Sequence, residues 1–220
     1  MRKLSFMILG TLLAGLAQAA QPLLTPQELQ HKLSDAAVRV IDIRDPKSYG
    51  ADHIPGSVNA PYGQWRGPAT NPGELPALPK LTTLVQSLGL TPASHAVVVS
   101  SGADATDFGA SARVYWTLKV LGLKELSVLN GGLKAWSDTK LPLNNAAVTV
   151  AASSFQPKLD TAQYASKEEV LAHVKNNDAL LIDARPAAFF QGETRAVVDE
   201  ASRLGTGVMR GPLPTVRRSM

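Results

Sequence analysis

Residues 38–61 read VRVIDIRDPKSYGADHIPGSVNAP, and the fold is decided by how this stretch is read. Val38, Val40, Ile41 and Ile43 are β-branched and closely spaced, which suits a buried strand. Asp42 and Arg44 stand at the strand's end. A Pro-containing turn follows and leads to His53-Ile-Pro-Gly56. Part of the stretch recurs: residues 179–185 read ALLIDAR, so Ile-Asp-x-Arg at 41–44 returns at 182–185, an offset of 141 (182 − 41). The segment before the strand recurs with it. Thr25-Pro-Gln-Glu28 has the form of a capping box with Pro at the first helical position. Ser166-Lys-Glu-Glu169 repeats the box at the same offset. Leu29 and Leu33 match Val170 and Val174, so the buried helix face repeats too. Two copies of one unit are expected.

Downstream, Asn71 to Pro79 is Pro-rich and reads as a surface loop. Leu81 to Leu88 reads as a helix stopped by Gly89, and Ala96 to Ser100 as a second buried strand. Ala112 to Leu121 is a helix closed by Gly122, and Leu126 to Leu129 a third strand. Asn130-Gly-Gly132 turns into a short helix around Trp136. Strands alternating with helices predict an α/β fold, a parallel sheet covered on both faces. Residues 22–142 are expected to form one complete copy. Residues 143–160 are a linker with one strand at Val148 to Val150, residues 161–192 a partial second copy that keeps helix and strand, and residues 193–220 an irregular tail.

The combination Asp42-x-Arg44, Tyr49, His53-Ile-Pro-Gly56, Asn59-x-Pro61, Val97-Val-Val99 and Val128-Leu-Asn-Gly-Gly132 before Leu133-x-Ala-Trp136 resembles the first half of a tandem-domain rhodanese, a thiosulfate or 3-mercaptopyruvate sulfurtransferase. The resemblance runs from about Leu23 to Phe190. It implies a rhodanese-like parallel sheet, a small anionic sulfur donor, no cofactor, and persulfide chemistry on a cysteine of the second half. In such tandem proteins the first half normally lacks the cysteine, so residues 22–142 are expected to be of the non-catalytic type. The second copy departs from the pattern. Phe189 stands where an anion-binding Arg is expected, and only 35 residues follow Arg185 (220 − 185), against 92 from Arg44 to Trp136 (136 − 44). A truncated or frame-shifted second copy is expected.

The 220 residues contain no cysteine, which excludes disulfides, thiolate metal sites and thiol nucleophiles. Hydrophobic content of 45% and charged content of 18% are those of an ordinary globular protein. The net charge of +4, two units of it from Arg2 and Lys3, does not mark a nucleic-acid binder. Met1 to Ala19 reads as a secretory signal: a basic start, an apolar run too short to span a membrane, and Ala17-Gln-Ala19 as the cleavage site. A bacterial periplasmic protein is expected, without membrane attachment once the signal is removed. The oligomeric state is not legible.

Candidate site residues carry two readings each. Asp42 and Arg44 lie at the carboxyl end of a parallel strand, where α/β folds bind ligands, and Arg44 suits an oxyanion. Alternatively Asp42 satisfies loop amides and Arg44 forms an ion pair that pins the next loop. The structural reading weighs more, because Asp183 and Arg185 keep the pair in the second copy. His53 reads as a loop anchor ahead of a Pro-Gly turn rather than a base. His31, His95 and His173 are isolated and suggest no metal site. Ser101 occupies the place of the cysteine, in a loop expected to run from Ser100 to Gly109. That loop looks too long to wrap a persulfide with its amides, and Ser101 has no Gly-x-Ser-x-Gly context or His/Asp pair to make it a nucleophile. No catalytic residue is assigned. The function expected by resemblance is sulfur transfer to a thiophilic acceptor, in a chain lacking the nucleophile and hence inactive. The alternative is a non-catalytic binding or regulatory module; a phosphatase-like relative, which also needs the cysteine, comes last.

Overall fold

The computed structural model describes residues 20–183 and 187–193. Five parallel strands, β1 (Leu23–Leu24), β2 (Val38–Asp42), β3 (Val58–Asn59), β4 (His95–Val99) and β5 (Leu126–Leu129), form one sheet in the order β1-β5-β4-β2-β3. The period-two alternation of a strand divides the apolar runs between two faces. Ile41, Ala96, Val98, Leu126 and Val128 face one cluster, with Leu81 and Val85 of α3 (Leu78–Ser87) and Val114 and Leu118 of α4 (Ala105–Val120). Val40, Val97, Val99 and Leu129 face the other, with Leu29 of α1 (Pro26–Lys32) and Leu133 and Trp136 of α5 (Gly132–Asp138). A run apolar at every position therefore serves a sheet buried on both sides. Both buried indoles find acceptors: Trp65 Nε1 donates to the Ala60 carbonyl and Trp136 Nε1 to that of Pro142, each at 3.0 Å.

The structure differs from the sequence expectations at definite places. Helix α2 (Pro46–Ala51) and strand β3 lie within the stretch expected as loop. Asp45 caps α2 by accepting from the Lys47 and Ser48 amides at 3.0 Å, but the helix buries no residue and so leaves no apolar stripe to read. Helix α4 starts at Ala105, not at Ala112, which cuts the loop after β4 to residues 100–104. No strand forms at Val148 to Val150. Residues 143–160 are not a slack linker either. The His53 and Asn144 backbones pair in both directions at 2.8 and 3.0 Å, the Ser153 amide donates to the Gln86 carbonyl at 2.9 Å, and the Asp160 amide donates to that of Val120 at 2.7 Å. Leu143 packs on the α1/α5 cluster, and Val148, Val150, Phe155 and Leu159 on the α3/α4 cluster, so the segment straps one face of the sheet to the other.

In the second copy α6 (Lys167–Asn176) forms behind its Ser166/Glu169 capping box, and a short α7 (Ala187–Phe190) follows. The expected strand at 179–183 does not form. Leu180, Leu181 and Ile182 are 83%, 52% and 81% exposed, with no described strand beside them to complete a ladder. The expected signal segment 1–19, Arg185 and residues 194–220 lie outside the described residues.

Candidate functional site

The sheet reverses direction of growth between β2 and β4: β3 lies beyond one, β5 and β1 beyond the other. The crevice of such a fold opens at the carboxyl ends of these two strands. The end of β2 places Asp42 and Arg44 there; the end of β4 places Ser100 and Ser101.

The structure commits Asp42 and Arg44 to each other. Asp42 is 1% exposed and accepts from Arg44 Nε at 3.0 and 3.1 Å, from Arg44 Nη2 at 2.8 Å and from the Arg44 amide at 2.9 Å. The rest of the guanidinium reaches the next loop: Nη1 to the Asp52 carboxylate at 3.2 Å and Nη2 to the Asp52 carbonyl at 2.5 Å. Burial works against the Arg44 charge, but the hydrogen bonds and charges of Asp42 and Asp52 outweigh it and hold the group above its ordinary range. Asn59 closes the arrangement by donating to the Asp42 and Arg44 carbonyls at 3.0 and 2.9 Å. A guanidinium engaged through all three nitrogens is a loop pin, not an open anion receptor.

His53 is buried and stacks on Tyr49, their ring centroids 4.0 Å apart and 9° from parallel. Its ring nitrogens face the Tyr49 carbonyl at 2.9 Å and the Ala146 carbonyl at 3.1 Å. The Tyr49 hydroxyl donates to the Ser57 carbonyl at 2.6 Å. His53 thus ties helix α2, the His-Ile-Pro-Gly turn and the strap together, with a carbonyl beside each ring nitrogen. Its importance to the strap had no signal in the sequence, because Asn144 and Ala146 sit in a stretch without pattern.

Ser101 lies in the shortened loop after β4. Two amides at the loop's start, those of Ser101 and Gly102, point at one place, as in the backbone concavities that hold anions. That place is filled from within: Asp107 accepts from the Ser101 amide at 3.3 Å and from the Gly102 amide at 2.7 Å. Burial raises the Asp107 carboxyl, but hydrogen bonds from Ser100, from the Gly102 amide and from Ser101 outweigh it and hold it below its usual range. Asp104 caps α4 and accepts from the Asp107 amide at 2.9 Å. The loop is held tightly to the β5–α5 turn. The Leu133 and Lys134 amides donate to the Ser100 and Ser101 carbonyls at 2.8 and 2.9 Å. A Cβ at Gly102 would meet the Gly131 carbonyl, and one at Gly132 the Gly102 nitrogen and the Ser100 carbonyl, so only glycines allow these backbones to approach.

The carboxylate's place in the loop is what sequence reasoning missed. Asp104-Ala-Thr-Asp107 has the spacing of a cap and its third helical residue, and would have set the helix start at Ala105. Of the second-copy pair, Asp183 is exposed, lies in no strand and has an interaction of its own. Among the described residues, no group of three or more His, Asp or Glu side chains is placed to hold a metal ion, and no helix is long and apolar enough to cross a membrane.

Comparison with known proteins agrees with the topology. A family model described as a rhodanese-like domain matches residues 25–139. The 3-mercaptopyruvate sulfurtransferase of Escherichia coli K12 is 28% identical over 200 residues, covering 84% of this chain and 66% of that protein. The probable 3-mercaptopyruvate sulfurtransferase of Pseudomonas aeruginosa is 31% identical over 193 residues, covering 80% and 65%. A crystal structure of a 3-mercaptopyruvate sulfotransferase from Escherichia coli, described as having the "Rhodanese" fold, superposes with a TM-score of 0.66 at 25% identity, covering 81% of this chain and 71% of that one. The chain spans 66% and 65% of the length of the Escherichia coli and Pseudomonas aeruginosa relatives, and 56% of that of a putative thiosulfate sulfurtransferase of Synechococcus elongatus.

Proposed function

The chain belongs to the rhodanese-like domain family, and from that premise we propose that it is a sulfurtransferase relative without sulfur-transfer turnover of its own. Its relatives are named for thiosulfate and 3-mercaptopyruvate, so a small anionic sulfur donor is the ligand class by lineage. Sulfur transfer through a persulfide needs a thiolate to attack the donor's outer sulfur, and the thiolate fraction governs the rate. No thiol exists in the 220 residues. Ser101, in the loop at the end of β4, offers only a hydroxyl, and the carboxylate beside it would stabilise neither an alkoxide nor an approaching anion.

The observation that carries this reading is the Asp107 carboxylate on the Ser101 and Gly102 amides. It puts a fixed negative charge on the two amides that an anion at this loop would need. Role and compartment follow as one proposal: a non-catalytic, rhodanese-like binding or regulatory domain, exported to a bacterial periplasm after loss of residues 1–19. Thiocyanate formation from thiosulfate and cyanide tests the first part. No rate above a heat-killed control is expected; a rate that scales with protein concentration refutes it. Replacing Ser101 by Cys alone is expected to leave the assay blank. The reason is not loop length, since the loop is short, but the carboxylate already on its amides.

A further inference from the structure

We infer that Glu125 is a receptor for the amino group that removal of residues 1–19 creates at Ala20, and that it fastens the mature amino terminus to the edge of the sheet. The inference rests on the export reading above and goes one step beyond it. The Ala20 nitrogen donates to Glu125 Oε2 at 2.7 Å, across 105 positions of sequence. The residues that follow continue the attachment without a gap. The Gln21 carbonyl accepts from Ser127 Oγ at 2.6 Å, the Pro22 carbonyl from the Val128 amide at 2.8 Å, and the Leu24 carbonyl from the Asn130 amide at 2.8 Å. Strand β1, only two residues long, thus rests on contacts that begin at Ala20 itself.

Among the groups around that nitrogen, Glu125 is the one that suits a cation. Ser127 Oγ spends its one proton on Gln21, so at 2.8 Å it accepts from His95 Nε2, which fixes that ring nitrogen as the donor. Helix α1 presents Glu28, His31 and Lys32 to the same cleft. The Glu28 carboxylate is already spent on the Thr25 amide and hydroxyl at 2.7 and 2.8 Å. Lys32 is the cation of the cleft, and burial and Lys32 together push the His95 ring below its ordinary range, toward the neutral form. Glu125 is left as the carboxylate bonded to the Ala20 nitrogen. In the uncleaved chain that nitrogen is a neutral amide with one proton. After cleavage at Ala19 it becomes an ammonium with three, and the same hydrogen bond becomes charge-assisted, roughly twice as strong as a neutral one. Cleavage would therefore strengthen the hold of Glu125 on Ala20 at the edge of the sheet.

The sign of the pH dependence follows. An α-amino group ordinarily titrates at about 7.7–8.0, and a carboxylate in contact raises it in the folded state. The stabilisation is full below the ordinary value and is lost as pH rises through the raised one. The test uses the chain from Ala20 to Met220, released from a removable amino-terminal tag, with three forms compared: unmodified, acetylated at Ala20, and Glu125→Gln. The Ala20 nitrogen is followed by NMR through a pH titration, and thermal unfolding is recorded at pH 7 and pH 10. The unmodified form is expected to titrate above the ordinary range and to lose stability relative to the acetylated form on going to pH 10. The acetylated form keeps the N–H and removes only the charge, so it isolates the ion pair even if Glu125→Gln is poorly folded. Titration within about 7.7–8.0 in a folded, unmodified chain overturns the inference. Intact mass of the protein recovered from cells that export it decides the export reading separately: a terminus other than Ala20 sinks that reading, whatever the titration gives.

Discussion

Residues 25–44 and 166–185 carry the same local instructions and meet different fates. Both open with a capping box that forms: Glu28 Oε2 accepts from the Thr25 amide at 2.7 Å, and Glu169 Oε2 from the Ser166 amide at 2.6 Å. Both box carboxyls are held below their usual range by the amide and then the hydroxyl of their caps. Beyond the cap the copies part. Leu29, Val40 and Ile41 are buried in the first, while Leu181 and Ile182 of the second are 52% and 81% exposed. Caps are satisfied by groups three residues away, so they form wherever the sequence is present. A parallel strand has no partner of its own. It forms in the first copy because β4 supplies five registered neighbours, from Val38 opposite His95 to Asp42 opposite Val99.

The largest test of this contrast is the acid at each strand's end. Asp42→Ala leaves the largely buried Arg44 guanidinium with Asp52 alone as its partner and is expected to cost about 3–5 kcal/mol in urea unfolding. Asp183→Ala, at an exposed position, is expected to stay within about 0.5 kcal/mol. Comparable losses at the two sites would mean that the second copy is packed as tightly as the first. The helix faces give the next largest effect. Leu29→Ala should cost about 2–5 kcal/mol, whereas Val170→Ala, at a partly exposed site, should cost less than about 1 kcal/mol.

The same contrast explains what was legible in the sequence. Helices α1, α3 and α5, strands β2, β4 and β5, the two-sided sheet and the loop-pinning character of His53 follow from local patterns of apolar runs, caps and turn glycines, whereas α2, which buries no residue, does not. Strand β3 did not, because two residues carry no periodicity, and neither did the start of α4, because Ala105 to Ala110 has no apolar stripe. The strand expected at 179–183 shows the reverse error. Its apolar run satisfied the pattern for a buried strand, but pattern measures what a segment can bury, not whether a neighbour is there to bury it. The strap at 143–160 was read as slack because its hydrogen bonds go to residues such as His53, Gln86 and Val120, far away in sequence. At the site, Ser101 was found by its place after β4. The carboxylate on its amides was missed along with the helix cap that positions it.

A smaller effect separates the copies in acid. Asp107 is depressed in the folded chain, so its contribution is present above the ordinary carboxylate value of about 3.9 and is lost as pH falls through the lower folded one. Unfolding midpoints between about pH 6 and pH 2 should therefore fall less steeply in Asp107→Asn than in the wild type. Glu169→Ala, which removes a depressed carboxyl from the second copy, should lower helix content without moving the midpoint.

The claim that the loop after β4 is filled from within is tested most directly by the Ser101 and Gly102 amides themselves. Their NMR resonances are followed while thiosulfate is added, with chloride at matched ionic strength as the reference. In the wild type neither resonance should move beyond the chloride reference, because Asp107 already accepts from both. In Asp107→Asn, with the charge gone and the amides less firmly held, both should shift and saturate. Saturable shifts in the wild type would contradict the account, since the loop would then take a sulfur donor despite its carboxylate.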